Sequence, residues 1–142
     1  MKKFLIINGP NLNLLGEREK DVYGNTSLAK IEEELKSHFS SHAELTFFQS
    51  NIEGELVSKI QEGLSGQYAG IVINPGGYTH TSVAILDAIR AIKIPVVEVH
   101  LSNISDREDY RHKSITGSGC LSIISGGGKI VYRLGLELLL GQ

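Results

Sequence analysis

Residues 4–11 read FLIINGPN, a run of four apolar residues that passes directly into a polar turn. Apolar runs without alternating polar positions are typical of parallel strands that are buried on both faces. Comparable runs occur at residues 70–73 (GIVI) and 95–99 (PVVEV), with weaker candidates at residues 44–49 and 121–124. The chain is therefore predicted to form a parallel sheet from these segments.

Segments with helical periodicity lie between these strands. Apolar residues recur at helical spacing in residues 28–39, 56–64, 82–92 and 129–140, and residues 106–113 are predicted to form a shorter helix. Strands that alternate with helices form βαβ units with right-handed crossovers. We therefore predict an α/β fold, a flavodoxin-like three-layer sandwich whose five-stranded parallel sheet has the order 2-1-3-4-5.

The composition restricts the size and the partners of the protein. A chain of 142 residues fits a single catalytic domain, residues 1–142. Fourteen basic and sixteen acidic residues give a net charge of −2, which argues against binding to nucleic acid or to anionic membranes. Cys120 is the only cysteine, and no apolar stretch has the length of a signal peptide or a membrane span. We expect a cytoplasmic protein.

Polar segments follow three of the predicted strands, at the carboxyl ends where open α/β sheets bind ligands. They are residues 8–18 after the first strand, residues 74–80 after the third, and residues 98–103 at the end of the fourth. Glycines and prolines shape these turns, and amides and imidazoles occupy the positions beside them. The sequence therefore predicts a site at this edge of the sheet.

Two pairs of charged residues add to this site. Glu98 and His100 are two residues apart and so share one face of their strand. Arg107 and Arg111 are four apart and would share one face of a helix over residues 106–113. Each feature has a structural alternative, namely amides that satisfy turn backbones, a structural histidine, or a solvated helix face. Their convergence on one crevice favours a functional site.

Other chemistries have weaker support. Residues 126–129, GGGK, lack the spacing of a phosphate-binding P-loop, and we interpret them as a tight strand-to-helix turn. His38 and His42 are four apart but have no evident third metal ligand. Lysine is absent from the predicted core strands, which disfavours a Schiff base. Asn74 stands where an aspartyl phosphoacceptor would follow the third strand.

Four motifs in order resemble those of the type II 3-dehydroquinate dehydratases, over nearly the whole chain. They are residues 8–16 (NGPNLNLLG) with Arg18 and residues 23–24 (YG), residues 74–80 (NPGGYTH), residues 98–104 (EVHLSNI), and residues 107–108 (RE) with 111–114 (RHKS). The resemblance implies an anti elimination of water from 3-dehydroquinate through an enolate, giving 3-dehydroshikimate. This is the third step of the shikimate pathway of aromatic amino-acid biosynthesis, and the resemblance implies no cofactor and no metal.

The resemblance also implies roles for catalytic residues. Tyr23 matches the base that removes the C2 proton, and Arg18 matches the residue that favours the tyrosinate. His100 matches the acid that protonates the leaving C1 hydroxyl, and Asn11 matches the residue that orients a water against the enolate oxygen. A tyrosine with its ordinary pKa of about 10 is a weak base at neutral pH, and a nearby guanidinium favours the phenolate.

Further residues match substrate-binding and supporting positions of the family. The substrate carboxylate would be held by three of them, Asn74, Leu101 and Ser102, the last two ahead of a short helix. His80 and Arg111 match groups that bind ring hydroxyls. In supporting roles, Glu98 would hold His100 from the same strand face, and Arg107 would add to the charge that favours the tyrosinate. Asp87 matches a residue that reaches the pocket of a neighbouring subunit, and the resemblance implies a homododecamer, a tetramer of trimers.

Two other functions fit the same strand ends. A flavodoxin-like binding module would hold a flavin or a nucleotide there, and its purified form would be coloured or nucleotide-loaded. A lyase that works through a Schiff base would be inactivated by borohydride in the presence of substrate. Turnover of 3-dehydroquinate, which yields an absorbing enone, separates these hypotheses.

Overall fold

A parallel sheet forms the centre of the computed structural model, which describes residues 1–17, 21 and 25–142. Its five strands have the order β2-β1-β3-β4-β5, as predicted. The strands are β1 (Lys2–Asn8), β2 (Ala43–Gln49), β3 (Gly70–Asn74), β4 (Val96–His100) and β5 (Ser122–Ser125). All the neighbouring pairs are parallel, so the carboxyl ends of the strands meet at one edge.

Helices cover both faces of the sheet and complete the predicted three-layer sandwich. Among the described residues, the α-helices are α1 (Leu28–His38), α2 (Glu53–Gln61), α3 (Val83–Ala91) and α4 (Ile130–Leu140). The helices α1 and α4 pack into one hydrophobic core, and α2 and α3 pack into a second. No helix within the described part of the chain is long and apolar enough to cross a membrane.

The strand β1 shows why its apolar run is uninterrupted. Phe4 and Ile6 belong to the core beneath α1 and α4, whereas Leu5 and Ile7 belong to the core beneath α2 and α3. All four side chains are at most 1% exposed. Because successive side chains of a strand point to opposite faces, a strand covered on both sides is apolar at every position.

The predicted helix over residues 106–113 is wrong. The segment forms two short 3-10 turns, Ile104–Asp106 and Asp109–Arg111, and Arg107 between them is extended, with φ −107° and ψ −171°. An isolated helix of two turns has little stability of its own, so contacts with the rest of the molecule determine the backbone. One such contact is the hydrogen bond of 2.8 Å from His112 Nε2 to the carbonyl of Arg107.

Close approach of two turns brings the carboxyl ends of β1 and β3 together. The amide of Gly9 donates to the carbonyl of Asn74 over 2.8 Å. A Cβ atom at position 9 would lie 2.4 Å from the carbonyl oxygen of Pro75, so only glycine fits without displacing the backbone. This contact lies where the strand order reverses, between β1 and β3.

Residues 126–128 form the turn between β5 and α4, as interpreted from the sequence. All three glycines have positive φ angles, between 74° and 85°. Such angles favour glycine, because other residues meet a steric penalty there. The glycines are therefore explained by the turn itself.

Candidate active site

A cleft of about 660 Å³, including its open mouth, lies at the carboxyl ends of the strands. It collects most of the residues that the sequence proposed for the site. The predicted residues that line it are Asn11, Asn74, His80, His100, Leu101, Ser102, Arg107 and Arg111. They come from the last residues of β3 and β4 and from the segments that follow β1, β3 and β4. The fold therefore places them together, as expected from the rule for open α/β sheets.

Four predicted site residues are not among the described residues that line the cleft. Arg18 and Tyr23 fall outside the described residues. Glu98 is fully buried and contacts His100 instead of lining the cleft. Asp87 is exposed on α3 and is not among the cleft-lining residues.

Glu98 and His100 form a buried hydrogen-bonded pair at the end of β4. His100 Nε2 donates to Glu98 Oε2 over 2.8 Å, and the two side chains share one face of β4 as predicted. Glu98 is 0% exposed and His100 is 6% exposed. A buried carboxylate needs compensation for its lost hydration.

Two hydroxyl groups supply this compensation. Ser114 donates to Glu98 Oε2 over 2.6 Å, and Thr116 donates to Glu98 Oε1. Burial by itself would raise the pKa of Glu98, but these hydrogen bonds and the contact with His100 outweigh it and lower the pKa below its ordinary value. Glu98 is therefore an anion that accepts the Nε2 proton of His100.

This contact assigns different tasks to the two nitrogens of His100. Nε2 is held by the carboxylate, so the proton that His100 gains or loses at the cleft is on Nδ1. A carboxylate that holds one ring nitrogen also fixes the orientation of the imidazole, which positions the other nitrogen for proton transfer. The geometry therefore suits His100 for giving a proton to a group bound in the cleft.

The opposite side of the cleft, at the turn after β1, is held through its backbone. Asn11 is the only described non-glycine residue with a positive φ, 70°, and its side chain is exposed. The backbone N–H of Asn11 donates to Asn51 Oδ1 over 3.0 Å. Gln49 Nε2 contacts the same oxygen at 3.3 Å and donates to the carbonyl of Gly9 over 3.1 Å. Asn51 and Gln49 thus fix the path of this turn.

Asn74 lies at the end of β3 with its side-chain amide held in a defined orientation. Its Oδ1 accepts from the amide of Gly76 over 3.2 Å, and its Nδ2 donates to Tyr132 Oη over 3.0 Å. Tyr132 Oη donates in turn to Asn8 Oδ1 over 2.5 Å. Asn74 is 4% exposed and still lines the cleft, so a ligand there would meet an oriented amide.

The basic residues of the cleft are positioned by local partners. His80 Nδ1 donates to the carbonyl of Lys113 over 2.8 Å, which leaves Nε2 as the acceptor in the neutral ring. Glu108 Oε2 lies 2.9 Å from Arg111 Nε and 3.7 Å from Arg107 Nε. The shared carboxylate, and not a common helix face, brings the two arginines to one side of the cleft.

The segment of Leu101 and Ser102 differs from the expectation in one respect. The helix expected after it is a single 3-10 turn, Ile104–Asp106, so a helix dipole contributes little to anion binding there. Arg107 Nη1 donates to Ser102 Oγ over 3.2 Å, which puts a guanidinium charge at the same place. Positive charge at this segment therefore comes from the Arg107 side chain and not from a helix dipole.

The sequence interpretation missed Ser114, Thr116, Asn51 and Tyr132 as parts of the site. Glu98 inside an apolar strand was a signal for partners such as Ser114 and Thr116, because a buried glutamate needs hydrogen-bond donors. The sequence did not show which hydroxyls would supply them. Among residues 1–17, 21 and 25–142, no three His, Cys, Asp or Glu side chains are grouped as metal ligands.

Comparisons with known proteins identify the family of the chain. The family model of class II dehydroquinases matches residues 2–140. A 3-dehydroquinate dehydratase of Clostridium botulinum (strain Hall) is 53% identical over 143 aligned positions, which cover 100% of this chain and 97% of the relative. The 3-dehydroquinate dehydratase of Helicobacter hepaticus is 51% identical over 94% of this chain and 85% of the relative.

Solved structures give the same result. The type II dehydroquinase of Butyrivibrio crossotus superposes with a TM-score of 0.95 at 44% identity, over 97% of each chain. The type II dehydroquinase of Propionibacterium acnes superposes with a TM-score of 0.95 at 32% identity, over 100% of this chain and 98% of the other. The chain belongs to the class II dehydroquinase family.

Proposed function

We propose that the cleft binds 3-dehydroquinate and that its residues remove water by anti elimination through an enolate. As a member of its family the protein is a hydro-lyase that forms 3-dehydroshikimate in the shikimate pathway. The observation that carries the residue assignment is the His100 imidazole, which lines the cleft while a buried carboxylate holds its far nitrogen. An acid at this place fits the loss of a hydroxyl group.

The first step of the proposal is removal of the C2 proton by Tyr23. Arg18 stands five residues earlier in the same segment and favours the tyrosinate. Sequence position supports both roles, since the described beginning of this segment, including Asn11 and Leu15, lines the cleft. The electrons of the broken C–H bond form the enolate, and a water oriented by Asn11 donates to the enolate oxygen.

The second step is expulsion of the C1 hydroxyl. The enolate electrons form the new C1–C2 double bond as the C1–O bond breaks. His100 Nδ1 gives its proton to the departing oxygen, so the leaving group is water. Glu98 holds the imidazole in position for this transfer, and the contacts of Glu98 to Ser114 and Thr116 keep the carboxylate ionised.

Substrate binding uses the remaining polar groups of the cleft. The carboxylate of the substrate is held by Asn74 and the backbone of Leu101 and Ser102, and the charge of Arg107 at Ser102 supports this assignment. His80 and Arg111 bind ring hydroxyls.

The proposal includes assembly and location. We expect residues 1–142 to act as a single catalytic domain in a cytoplasmic homododecamer, a tetramer of trimers, in which Asp87 reaches a neighbouring subunit. Exposure of Asp87 on α3 supports this role. Exposed apolar side chains at the edge strand β5 and just before it, Ile123 and Leu121, also support association between subunits.

The test is turnover of 3-dehydroquinate by purified protein, followed by ultraviolet absorption of the enone product. We expect a colourless protein that is active with EDTA and after borohydride treatment in the presence of substrate. Tyr23→Phe should abolish turnover and retain product binding, because it removes only the phenolic oxygen. Unchanged turnover in this variant would exclude Tyr23 as the base. Borohydride inactivation would favour a Schiff-base lyase, and a bound flavin would favour a binding module.

A further inference from the structure

We propose that Tyr132 is a positioning residue for substrate binding, which acts by orienting the side-chain amide of Asn74. The inference rests on the proposed function of Asn74 as a ligand of the substrate carboxylate. Tyr132 lies on α4, is fully buried, and does not line the cleft. Its influence on the reaction would therefore pass through Asn74.

The contact occurs at the point where the strand order reverses. Asn8 and Asn74 are the last residues of β1 and β3 and are paired in register. The hydroxyl of Tyr132 lies between their side chains, 2.5 Å from Asn8 Oδ1 and 3.0 Å from Asn74 Nδ2. One residue of a distant helix thus links the two strand ends that border the cleft.

The directions of these hydrogen bonds determine which end of the Asn74 amide serves as donor. A hydroxyl has a single proton, and Tyr132 gives it to Asn8 Oδ1, which can only accept. Tyr132 Oη must therefore accept from Asn74 Nδ2. Independently, the amide of Gly76 requires Oδ1 of Asn74 as its acceptor. The second N–H of Nδ2 is the donor that remains for an anion in the cleft.

Burial keeps this arrangement independent of pH. Burial raises the pKa of Tyr132 well above its ordinary value, so the hydroxyl keeps its proton across the working range of the enzyme. A neutral hydroxyl both donates and accepts, whereas a tyrosinate would have no proton for Asn8. The orientation of Asn74 is thus fixed before the substrate arrives, which avoids an ordering cost on binding.

The alternative is that Tyr132 is only a core tyrosine with a satisfied hydroxyl. The two interpretations predict different changes in KM. The substrate carboxylate does not react, so its contact with Asn74 is made equally in the ground state and the transition state. Losing such a contact raises KM and leaves kcat nearly unchanged. A general loss of core packing would instead lower stability without a selective effect on KM.

The experiment is a double-mutant cycle of Tyr132→Phe and Asn74→Ala, with KM and kcat for 3-dehydroquinate as readouts. Tyr132→Phe keeps the ring and removes Oη. We expect it to raise KM about tenfold, the effect of weakening one hydrogen bond to a charged group, with kcat within about twofold. In the Asn74→Ala background, Tyr132→Phe should have no further effect on KM, because the Asn74 amide through which Tyr132 acts is already absent.

A matched control is Tyr68→Phe. Tyr68 is also buried, but it lies in the other core, beneath α2 and α3. We expect this variant to leave KM and kcat unchanged. A thermal unfolding curve for each variant separates losses of stability from changes in KM.

Several outcomes would overturn the inference. An unchanged KM in Tyr132→Phe, or a KM effect that adds fully to that of Asn74→Ala, would remove the proposed coupling while the role of Asn74 stands. An unchanged KM in Asn74→Ala would refute the carboxylate role of Asn74 itself. If Tyr132→Phe does not fold, Asn8→Leu replaces it, since it removes the acceptor of the Tyr132 proton. An unchanged KM in that variant would overturn the inference, and a raised KM would support it.

Discussion

The two sides of the cleft are built differently. On the β4 side, Glu98 is fully buried, and its two oxygens are occupied by His100, Ser114 and Thr116. On the β1 side, Asn11 is exposed, and its position depends on a backbone contact to Asn51. One side is a buried charge network, and the other is a turn facing solvent.

This difference matches the chemistry proposed for each side. A proton donor needs a fixed ring orientation and a stable charge behind it, which only a water-excluded network provides. A residue that orients a water has to remain accessible to water. We therefore expect the side of the acid to be sensitive to small changes in buried groups. On the side of the turn, loss of the exposed Asn11 side chain should cost less stability.

Among the described residues, the largest expected effect is on the β4 side, in His100→Ala. Removing a general acid lowers kcat by about 10²–10⁴-fold, because the hydroxyl then leaves without a proton from the enzyme. Steady-state turnover measures this change, and titration with product checks that the cleft still binds. A decrease in kcat of less than about tenfold would contradict the role of His100 as acid.

A smaller effect is expected from Thr116→Val, which removes one donor to Glu98 at nearly constant volume. Leaving the buried carboxylate short of a hydrogen bond costs about 1–3 kcal/mol of unfolding free energy. We expect kcat to fall as the support of His100 weakens. The control is Ser118→Ala, whose hydroxyl donates to the carbonyl of Ile115 at the surface. Chemical denaturation measures both variants, and equal stabilities would contradict the prediction.

The same variant has a defined pH dependence. The pKa of Glu98 is lower in the folded protein than its ordinary value of 4.5. Its ionised form therefore stabilises the fold above pH 4.5, and this contribution is lost as the pH falls through the folded pKa. In Thr116→Val the folded pKa moves upward, so the contribution is smaller and its loss is complete at a higher pH. Acid-unfolding curves that coincide for the two proteins would refute this.

The smallest effect is expected on the β1 side, from Asn11→Gly compared with Asn11→Ala. Both variants lose the amide that orients water, so their activities should fall by a similar factor. Only alanine meets a steric penalty at a φ of 70°, which costs about 1 kcal/mol of stability. Thermal unfolding and turnover separate the two contributions. If glycine keeps full activity, the side chain of Asn11 has no role.

Much of the fold followed from patterns in the sequence. The apolar runs at β1, β3 and β4 were recognised because burial on both faces leaves no polar position. The spacing of Glu98 and His100 was sufficient to place them on one face. The helix over residues 106–113 was wrong because a short polar segment takes its shape from contacts such as that of His112 with Arg107.

The sequence by itself determined the sheet order, the edge at which the site lies, and most of the residues that line the cleft. Local periodicity and turns, which act over a few residues, predict the strands, the helices and the polar segments at the strand ends. The sheet order and the site edge then follow from the rules for alternating βαβ units. Only the tertiary structure decided the partners of the buried groups. Thr116 reaches Glu98 from 18 residues away, and Tyr132 reaches Asn74 from 58 residues away. No local pattern encodes such pairs, because they arise where separate elements pack and buried polar atoms must find partners.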